Sequence, residues 1–261
     1  MKMSTKVLLG LAAAVMAVGI AGCGGSSAGS KAASSQAAGG KVLKVGTDAT
    51  FKPFEWRNEA GEYTGFDIDL MNAVSKKMGY EKVEYVNTDF KGLIPGLMSK
   101  KFDVIASAMY VTDERKKTID FSDSYYPGGL CILVRKDDKS INTVDDLKGK
   151  TVAVQVGTKS VKYLDANYPE IKRLEVETNN EMFLSLESSK ADAVVTARPA
   201  ASVYAKASGK VRILDKNLTS ELYAYGIRKE DTALKDGLNK ALKAVKDDGQ
   251  YDKIKAKYFG N

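Results

Sequence analysis

The sequence predicts an α/β protein made of two lobes. From residue 41 onward, short apolar runs typical of buried strands alternate with segments whose apolar residues recur at helical spacing, and the alternation starts again near residue 143. Two extended segments, CILVRKD at 131–137 and ELYAYGIRKED at 221–231, bracket the middle of the chain. They predict two strands that cross between the lobes and act as a hinge.

The first predicted lobe comprises residues 41–134 and 222–261. It opens with the strand KVLKVGT, followed by a helix in GFDIDLMNAVSKKMGY that ends at Gly79. VEYVN predicts a second strand, GLIPGLMSKK a short helix, and FDVIASAM a third strand. Near the C-terminus, helices that break at Gly249 are predicted to cover the core through four residues on one face: Leu234, Leu238, Leu242 and Val245.

The second predicted lobe comprises residues 135–221. In TVDDLKGKTVAVQVGTKSVKYLDANY, Thr143 is expected to cap a helix, TVAV to form a strand and VKYLDA to form a helix. The order of elements therefore repeats that of the first lobe.

The N-terminal residues predict export and lipid anchoring. Two lysines precede the apolar run VLLGLAAAVMAVGIA, which is shorter than the roughly 20 residues of a membrane span, so a signal peptide at 1–22 is preferred to a spanning anchor. The sequence IAGC resembles the lipobox of bacterial lipoproteins, which makes Cys23 the expected lipidation site. Small and polar residues then predict a flexible tether over 23–40.

Composition excludes several classes of function. The chain holds 40 basic and 33 acidic residues, a net charge of +7, and the lysines are spread among acids rather than clustered, which argues against nucleic-acid binding. It has no histidine, and its two cysteines leave Cys131 unpaired once Cys23 is lipidated. We therefore expect no disulfide framework, no zinc or other metal site and no cofactor.

One arginine is a candidate anion-binding residue. Arg115 follows a predicted strand that carries Ser107 and Tyr110, so its planar fork of donors and their hydroxyls can meet a carboxylate. The spacing leaves a second interpretation open, in which Arg115 pairs with Asp113 or Glu114 at the surface.

Several linked motifs resemble one family. GTDATFKPFEW (46–56), GFDIDL (65–70), the segment 89–126, DLKGKTVAVQVGTKS (146–160) and DAVV (192–195) are similar to the polar amino-acid solute-binding proteins of bacterial ABC importers. The resemblance covers almost all of the chain after residue 41. It implies a type II periplasmic-binding-protein fold, a clamshell that closes on its ligand about two hinge strands.

The resemblance also implies the ligand site. In the family, the arginine at the place of Arg115 holds the ligand's α-carboxylate, the acid at Asp48 contacts its side chain, and two aromatic residues sandwich it. The residues expected to bind ligand are Asp48, Phe51, Phe90, Ser107, Ala108, Tyr110, Arg115, Gln155, Thr158, Lys159, Ser160 and Thr196. From the residues alone, Phe51 and Phe90 could be core and Asp48 a turn cap, and Phe54 and Trp56 stay undecided between site and core.

Two departures from the family pattern bear on the ligand. Relatives place an aspartate for the α-ammonium after the DAVV strand, where this chain has Ala197, and a short hydroxyl residue where it has Tyr110. Arg198 would add positive charge if it faced the cleft. We therefore hypothesise a ligand whose amino group is modified, cyclic or displaced, with Tyr110, Phe51 and Phe90 as an aromatic cage for a cation.

The expected function is that of a monomeric extracytoplasmic lipoprotein, located in the periplasm or at the outer face of the membrane. It would capture a polar amino acid or a similar carboxylate and deliver it to an ABC permease, with no catalysis. Alternatives are a binder of a modified, cyclic or betaine-like solute, a dehydratase-type or hydrolase enzyme on the same fold, and a sensory module that signals to a partner.

Overall fold

The computed structural model describes residues 40–260. The signal peptide, Cys23 and all but the last residue of the predicted tether lie outside the described residues. The described chain folds around two five-stranded sheets, with helices packed on them, which confirms the predicted α/β class.

The strands, in chain order, are β1 (Val42–Thr47), β2 (Thr50–Phe51), β3 (Glu55–Arg57), β4 (Tyr63–Thr64), β5 (Lys82–Asn87), β6 (Val104–Ile105), β7 (Asp120–Phe121), β8 (Tyr126–Pro127), β9 (Leu130–Arg135), β10 (Thr151–Gln155), β11 (Lys172–Val176), β12 (Ala193–Ala197), β13 (Val211–Ile213), β14 (Leu222–Tyr223) and β15 (Gly226–Ile227). The α-helices are α1 (Phe66–Lys77), α2 (Leu93–Met98), α3 (Asp113–Lys116), α4 (Lys159–Asn167), α5 (Asn179–Glu187), α6 (Arg198–Ser208), α7 (Thr232–Asp247) and α8 (Gln250–Phe259), and short 3-10 turns lie at Phe90–Gly92 and Asp145–Leu147.

The two large sheets have the same kind of centre. The first has the order β5-β1-β6-β15-β7, and the second has the order β11-β10-β12-β9-β13. In each, the first three strands run parallel and the others join antiparallel. Because parallel strands end at the same edge, residues that follow β1, β6, β10 and β12 are well placed to form a common site.

The central strands are apolar in sequence because their side chains are buried in the core. Val45, Val104 and Ile227 in the first sheet, and Val152, Val154 and Val195 in the second, are fully buried, as expected for strands covered on both faces. Helix α7 packs Leu238, Leu242 and Val245 inward, and Leu234 packs partly buried beside them. The chain then breaks at Gly249, as predicted, where a left-handed φ of 76° separates α7 from α8.

Two local predictions were wrong. The strand expected over FDVIASAM is confined to Val104–Ile105, and three residues further on Ala108 adopts a left-handed φ of 41°. Thr143 does not cap a helix: the structure has a 3-10 turn at Asp145–Leu147 with Val144 in the capping position, and the Thr143 hydroxyl donates to Asp146.

The predicted lobe boundaries stay a proposal, but two pairings bear on where they fall. Strand β9, most of which was assigned to the first lobe, pairs with β12 and β13 in the second sheet. Strand β14 pairs with β8 in a separate two-stranded ribbon, and β15 enters the first sheet. The chain therefore passes between the sheets just before β9 and again around β14.

Candidate ligand cleft

A cleft of about 450 Å³ gathers residues from both sheets. Of the residues predicted to bind ligand, all but Ser107 line it. Ser107 lies directly behind, buried, with its hydroxyl accepting from the backbone N–H of Asp48 at 3.0 Å. The structure thus brings the predicted residues together in one place. The lining residues are Asp48, Phe51, Glu55, Phe90, Ala108, Tyr110, Arg115, Leu130, Gln155, Thr158, Lys159, Ser160, Asn179, Val195, Thr196, Ala197 and Tyr223.

Arg115 faces the cleft instead of the surface. Its guanidinium donates to the carbonyl oxygen of Tyr110 at 2.9 Å and to that of Gly157 at 3.5 Å. Its carbon Cζ lies 5.2 Å from the centre of the Phe90 ring. The alternative surface pairing is not observed, because Asp113 pairs with Lys116 and Glu114 with Lys162.

The position of Arg115 is set by the short helix α3. The side chain of Thr112 caps this helix by accepting from the backbone N–H of Arg115 at 3.2 Å. Burial lowers the pKa of Arg115 to about 10, so the side chain stays charged at neutral pH. Among residues 40–260 no carboxylate lies within the 4.0 Å of an ion pair with it. A half-buried cation without a carboxylate partner can receive an anionic group.

Asp48 supplies a buried acid at the end of strand β1. Its Oδ1 accepts from the Thr50 hydroxyl at 2.9 Å, and its Oδ2 accepts from Nε2 of Gln155 at 2.6 Å. Burial raises the pKa of Asp48 to about 6 despite these hydrogen bonds. Near neutral pH, Asp48 is therefore mostly ionised, and its proton affinity is easily changed by a nearby charge.

Neutral polar groups dominate the wall formed by the second sheet. Gln155 ends β10, donates also to the Glu177 carbonyl at 2.9 Å and accepts from Asn179 at 2.9 Å. The Thr158 hydroxyl donates to the Gln155 carbonyl at 2.7 Å and precedes α4, whose first residues Lys159 and Ser160 also line the cleft. Lys159 is paired with Glu221 at 2.9 Å.

Tyr110, which departs from the family pattern, and Arg198, which follows the second departure at Ala197, have clear structural outcomes. The Tyr110 hydroxyl accepts from the Gly129 N–H at 3.0 Å, and its ring stacks on Tyr223 with centroids 4.6 Å apart. The phenol is thus held by its neighbours, the Phe90 ring lies against Arg115 and the Phe51 ring stacks on Phe54, so all three rings expected to form a cage already have protein partners. Arg198 donates to the carbonyls of Leu214 and Asp215 and is not among the residues that line the cleft.

The aromatic residues next to the cleft divide into lining and core. Phe51 is half-buried, lines the cleft and stacks on Phe54 with centroids 5.6 Å apart. Phe54 is fully buried and Trp56 packs edge-on against Tyr258, so these two belong to the packing. Cys131 is also fully buried, and burial raises the pKa of its thiol to about 12.

Six lining residues were missed by the sequence analysis: Glu55, Leu130, Asn179, Val195, Ala197 and Tyr223. Glu55 stands in the quoted GTDATFKPFEW motif, which was the available signal. Tyr223 and Leu130 reach the cleft through the pairing of strands far apart in sequence, which no local pattern reveals.

Comparison with known proteins places the chain in a family. Residues 43–261 match the bacterial extracellular solute-binding proteins, family 3, and the chain belongs to that family. It is 38% identical to the arginine-binding extracellular protein of Bacillus subtilis (strain 168), over 97% of this chain and 98% of that protein. The lysine/arginine/ornithine-binding periplasmic protein of Escherichia coli (strain K12) is 35% identical, over 88% and 92% respectively.

A solved structure gives the same result. The crystal structure of an ancestral amino-acid-binding protein, described as a precursor of cyclohexadienyl dehydratase, matches with a TM-score of 0.79 and 44% identity, covering 84% of this chain and 95% of that one. These similarities confirm the resemblance inferred from the motifs. The protein is an extracellular solute-binding protein of the amino-acid-binding class, and the two curated relatives named above are binding proteins.

Residues 40–260 contain neither a membrane-spanning helix nor a metal-binding cluster. No helix in this range is both long and apolar enough to cross a membrane. In the same range, no group of three or more acids and cysteines is arranged to hold a metal ion.

Proposed function

We propose that the cleft binds an amino acid with a cationic side chain and that the protein delivers it to an ABC permease. One observation carries this proposal: Arg115 and Asp48 place a half-buried cation and a buried anion on the wall of a single cleft. Arg115 would take the ligand's carboxylate and Asp48 its side-chain cation. The names of the two curated relatives, which bind arginine or lysine, arginine and ornithine, support the same ligand class.

The strength of binding follows from desolvated charge pairs. A micromolar complex needs about −8 kcal/mol. An arginine–carboxylate pair, contact with Phe51 and Phe90, and hydrogen bonds from the Gln155 and Thr158 region would supply this after the ordering costs. The residues predicted from sequence would thus act together, with Ser107 holding Asp48 from behind.

The direct test is isothermal calorimetry of the purified protein with arginine, lysine, ornithine and citrulline. Citrulline matches arginine in shape but carries no side-chain charge. We expect arginine or another cationic amino acid to bind at least about tenfold more tightly than citrulline, because the latter leaves the buried Asp48 unpaired. Equal affinity for citrulline and arginine would contradict the assignment of Asp48.

A specific observation favours a second candidate ligand. The acids that line the cleft in the described chain are Asp48 and Glu55, and the wall where relatives carry an aspartate for the α-ammonium ends in Thr196 and Ala197. A ligand whose α-amino group is substituted would need no acid there. Comparing arginine with Nα-acetylarginine decides between the two candidates, since only the substituted-amine hypothesis predicts tighter binding of the acetylated compound.

We further propose that the protein is not an enzyme. Arg115 donates to the Tyr110 carbonyl, Asp48 accepts from Gln155, and Lys159 pairs with Glu221. Among the described residues that line the cleft, no nucleophile stands beside a base. Incubating the protein with its best ligand and following that compound by mass spectrometry is the test. Conversion of the ligand would favour the dehydratase or hydrolase alternative.

The remaining proposals concern anchoring and movement. A lipid on Cys23 would tether the protein outside the cytoplasm, which mass spectrometry of the membrane fraction can detect. The crossings before β9 and near β14 would act as hinges between a first lobe (residues 41–134 and 222–261) and a second (135–221). Small-angle scattering should then show a more compact protein on ligand addition.

A further inference from the structure

Two buried carboxylic acids, Glu55 in the lining of the cleft and Asp67, are linked by neighbouring contacts. Glu55 follows Phe54 in the chain, and the Phe54 carbonyl accepts from the backbone N–H of Asp67 at 2.9 Å. Glu55 is 1% exposed and Asp67 is not exposed at all. This backbone contact brings the chain at Asp67 close to the chain at Glu55, and both side chains are buried.

The two acids are bound by consecutive residues of one segment. The Ser107 hydroxyl donates to Oε1 of Glu55 at 3.0 Å, and the Ala108 N–H donates to Oδ2 of Asp67 at 2.7 Å. Tyr125 also donates to Oδ2 of Asp67, at 2.6 Å. Each acid therefore uses one oxygen for its neighbours, and the other oxygens, Oε2 of Glu55 and Oδ1 of Asp67, are buried with no hydrogen-bond donor among the described residues.

Burial disfavours the ionised form of both acids. Within residues 40–260, no lysine or arginine forms an ion pair with either of them. Burial, and then the neighbouring charges of Asp67 and Asp48, raise the pKa of Glu55, and burial raises that of Asp67. Adjacent carboxyl groups in such surroundings retain one proton between them.

We propose that Glu55 and Asp67 share one proton, held between Oε2 of Glu55 and Oδ1 of Asp67, and that this pair positions the segment of the cleft around residues 107–108. Glu55 is the donor and Asp67 the anion, because Asp67 already receives two hydrogen bonds that stabilise a negative charge, from Ala108 and Tyr125. This pairing gives both otherwise unpartnered oxygens a partner.

The pair acts on the ligand through two other residues. Ser107, which donates to Glu55, accepts from the Asp48 backbone and so fixes the proposed cation acceptor. Ala108 lines the cleft in a left-handed conformation, φ 41°, that a residue with a Cβ adopts only when its surroundings hold it there. Asp67 holds its N–H. Glu55 and Asp67 are thus positioning residues, and this second part of the proposal rests on the proposed function.

The shared proton can be tested without any ligand. Infrared spectra of the unliganded protein near pH 8, where Asp48 is ionised, should contain the C=O stretch of a protonated carboxyl group. The band should disappear in Glu55→Gln and should shift when glutamate is labelled with ¹³C. The control is Asp69→Asn, in which the band should remain, because Asp69 lies two residues from Asp67 but pairs with Lys257. If the band persists in Glu55→Gln, or if it does not shift when glutamate is labelled with ¹³C, the proposed shared proton is wrong.

The positioning role is tested by calorimetry with arginine. Glu55→Ala strands the Ser107 hydroxyl and should weaken binding by about tenfold or more. Glu55→Gln can accept from Ser107 and donate to Asp67, so it should recover most of that loss. A glutamine variant that regains thermal stability but binds as weakly as the alanine variant would show that Glu55 contacts the ligand's cation directly, and would overturn the role. If the wild-type protein binds none of the cationic amino acids, the proposed function fails while the infrared result stands.

Discussion

The two walls of the cleft differ in how they use charge. The wall formed by residues before β9 contains Asp48, Glu55 and Arg115, all charged or ionisable, and Asp48 and Arg115 also make hydrogen bonds to Gln155 and Gly157 of the other wall. The wall from the second sheet contributes mainly amides and hydroxyls, and its lysine is already paired with Glu221. The first wall is therefore suited to select a ligand by charge, and the second to complete its hydrogen bonds.

This difference predicts that the largest loss comes from the first wall. Arg115→Ala should weaken binding of a cationic amino acid by about 2–5 kcal/mol, because the ligand's carboxylate is then desolvated without a partner. Calorimetry with arginine measures the loss. Arg57→Ala, which removes an exposed arginine that contacts Tyr63, is the matched control and should bind normally. Unchanged affinity in Arg115→Ala would remove this residue from the site.

Asp48→Asn should have the next largest effect, and a selective one. The substitution keeps the shape and the hydrogen bond from Thr50, but it removes the charge and the acceptor for Nε2 of Gln155, so the preference for arginine over citrulline should fall by about 1.5–3 kcal/mol. Titrating both ligands into wild type and variant gives the ratio directly. If the affinities for arginine and citrulline fall equally, Asp48 stabilises the structure of the cleft and does not interact with the ligand's charge.

Part of the first wall was predicted from sequence. Asp48, Phe51 and Arg115 line the cleft as the resemblance of their motifs implied, whereas the residues alone left Phe51 as possible core, Asp48 as a possible turn cap and Arg115 as a possible surface ion pair, and Glu55 was missed. The partners of Tyr110 were not predictable, because Gly129 and Tyr223 are 19 and 113 residues away and reach it only through sheet pairing. Likewise, a run such as FDVIASAM looks like a full strand until Ala108 turns the backbone toward the cleft.

Protonation of Asp48 should weaken ligand binding, and by itself it should stabilise the unliganded fold. Burial raises the pKa of Asp48 from 3.8 to about 6. Between these values the folded protein binds a proton that the unfolded chain does not, so this group makes unfolding harder as pH falls from 6 toward 4. A cationic ligand needs the ionised form, so its affinity should fall about tenfold between pH 7.5 and pH 5.

Two measurements separate these opposite effects. Calorimetry at several pH values follows the affinity, and thermal unfolding of the unliganded protein follows the stability. Asp48→Asn should remove the part of each pH dependence that belongs to this group. Affinity that rises toward pH 5 in the wild type would show that the protonated form of Asp48 is the one that binds.

The smallest effect is expected at the rim, where the walls meet through exposed ion pairs. Lys162 and Glu114 lie 3.1 Å apart, and both side chains are more than half exposed. Water and salt screen such a pair, so Lys162→Met should change arginine affinity by about threefold or less, and Glu114→Gln by the same amount. Calorimetry at low and high salt should show that the affinity difference between wild type and variant becomes smaller as salt rises. A large, salt-insensitive loss in either variant would mean that closure of the cleft depends on its rim as much as on the buried charges of the first wall, and the contrast between the walls would then no longer explain selectivity.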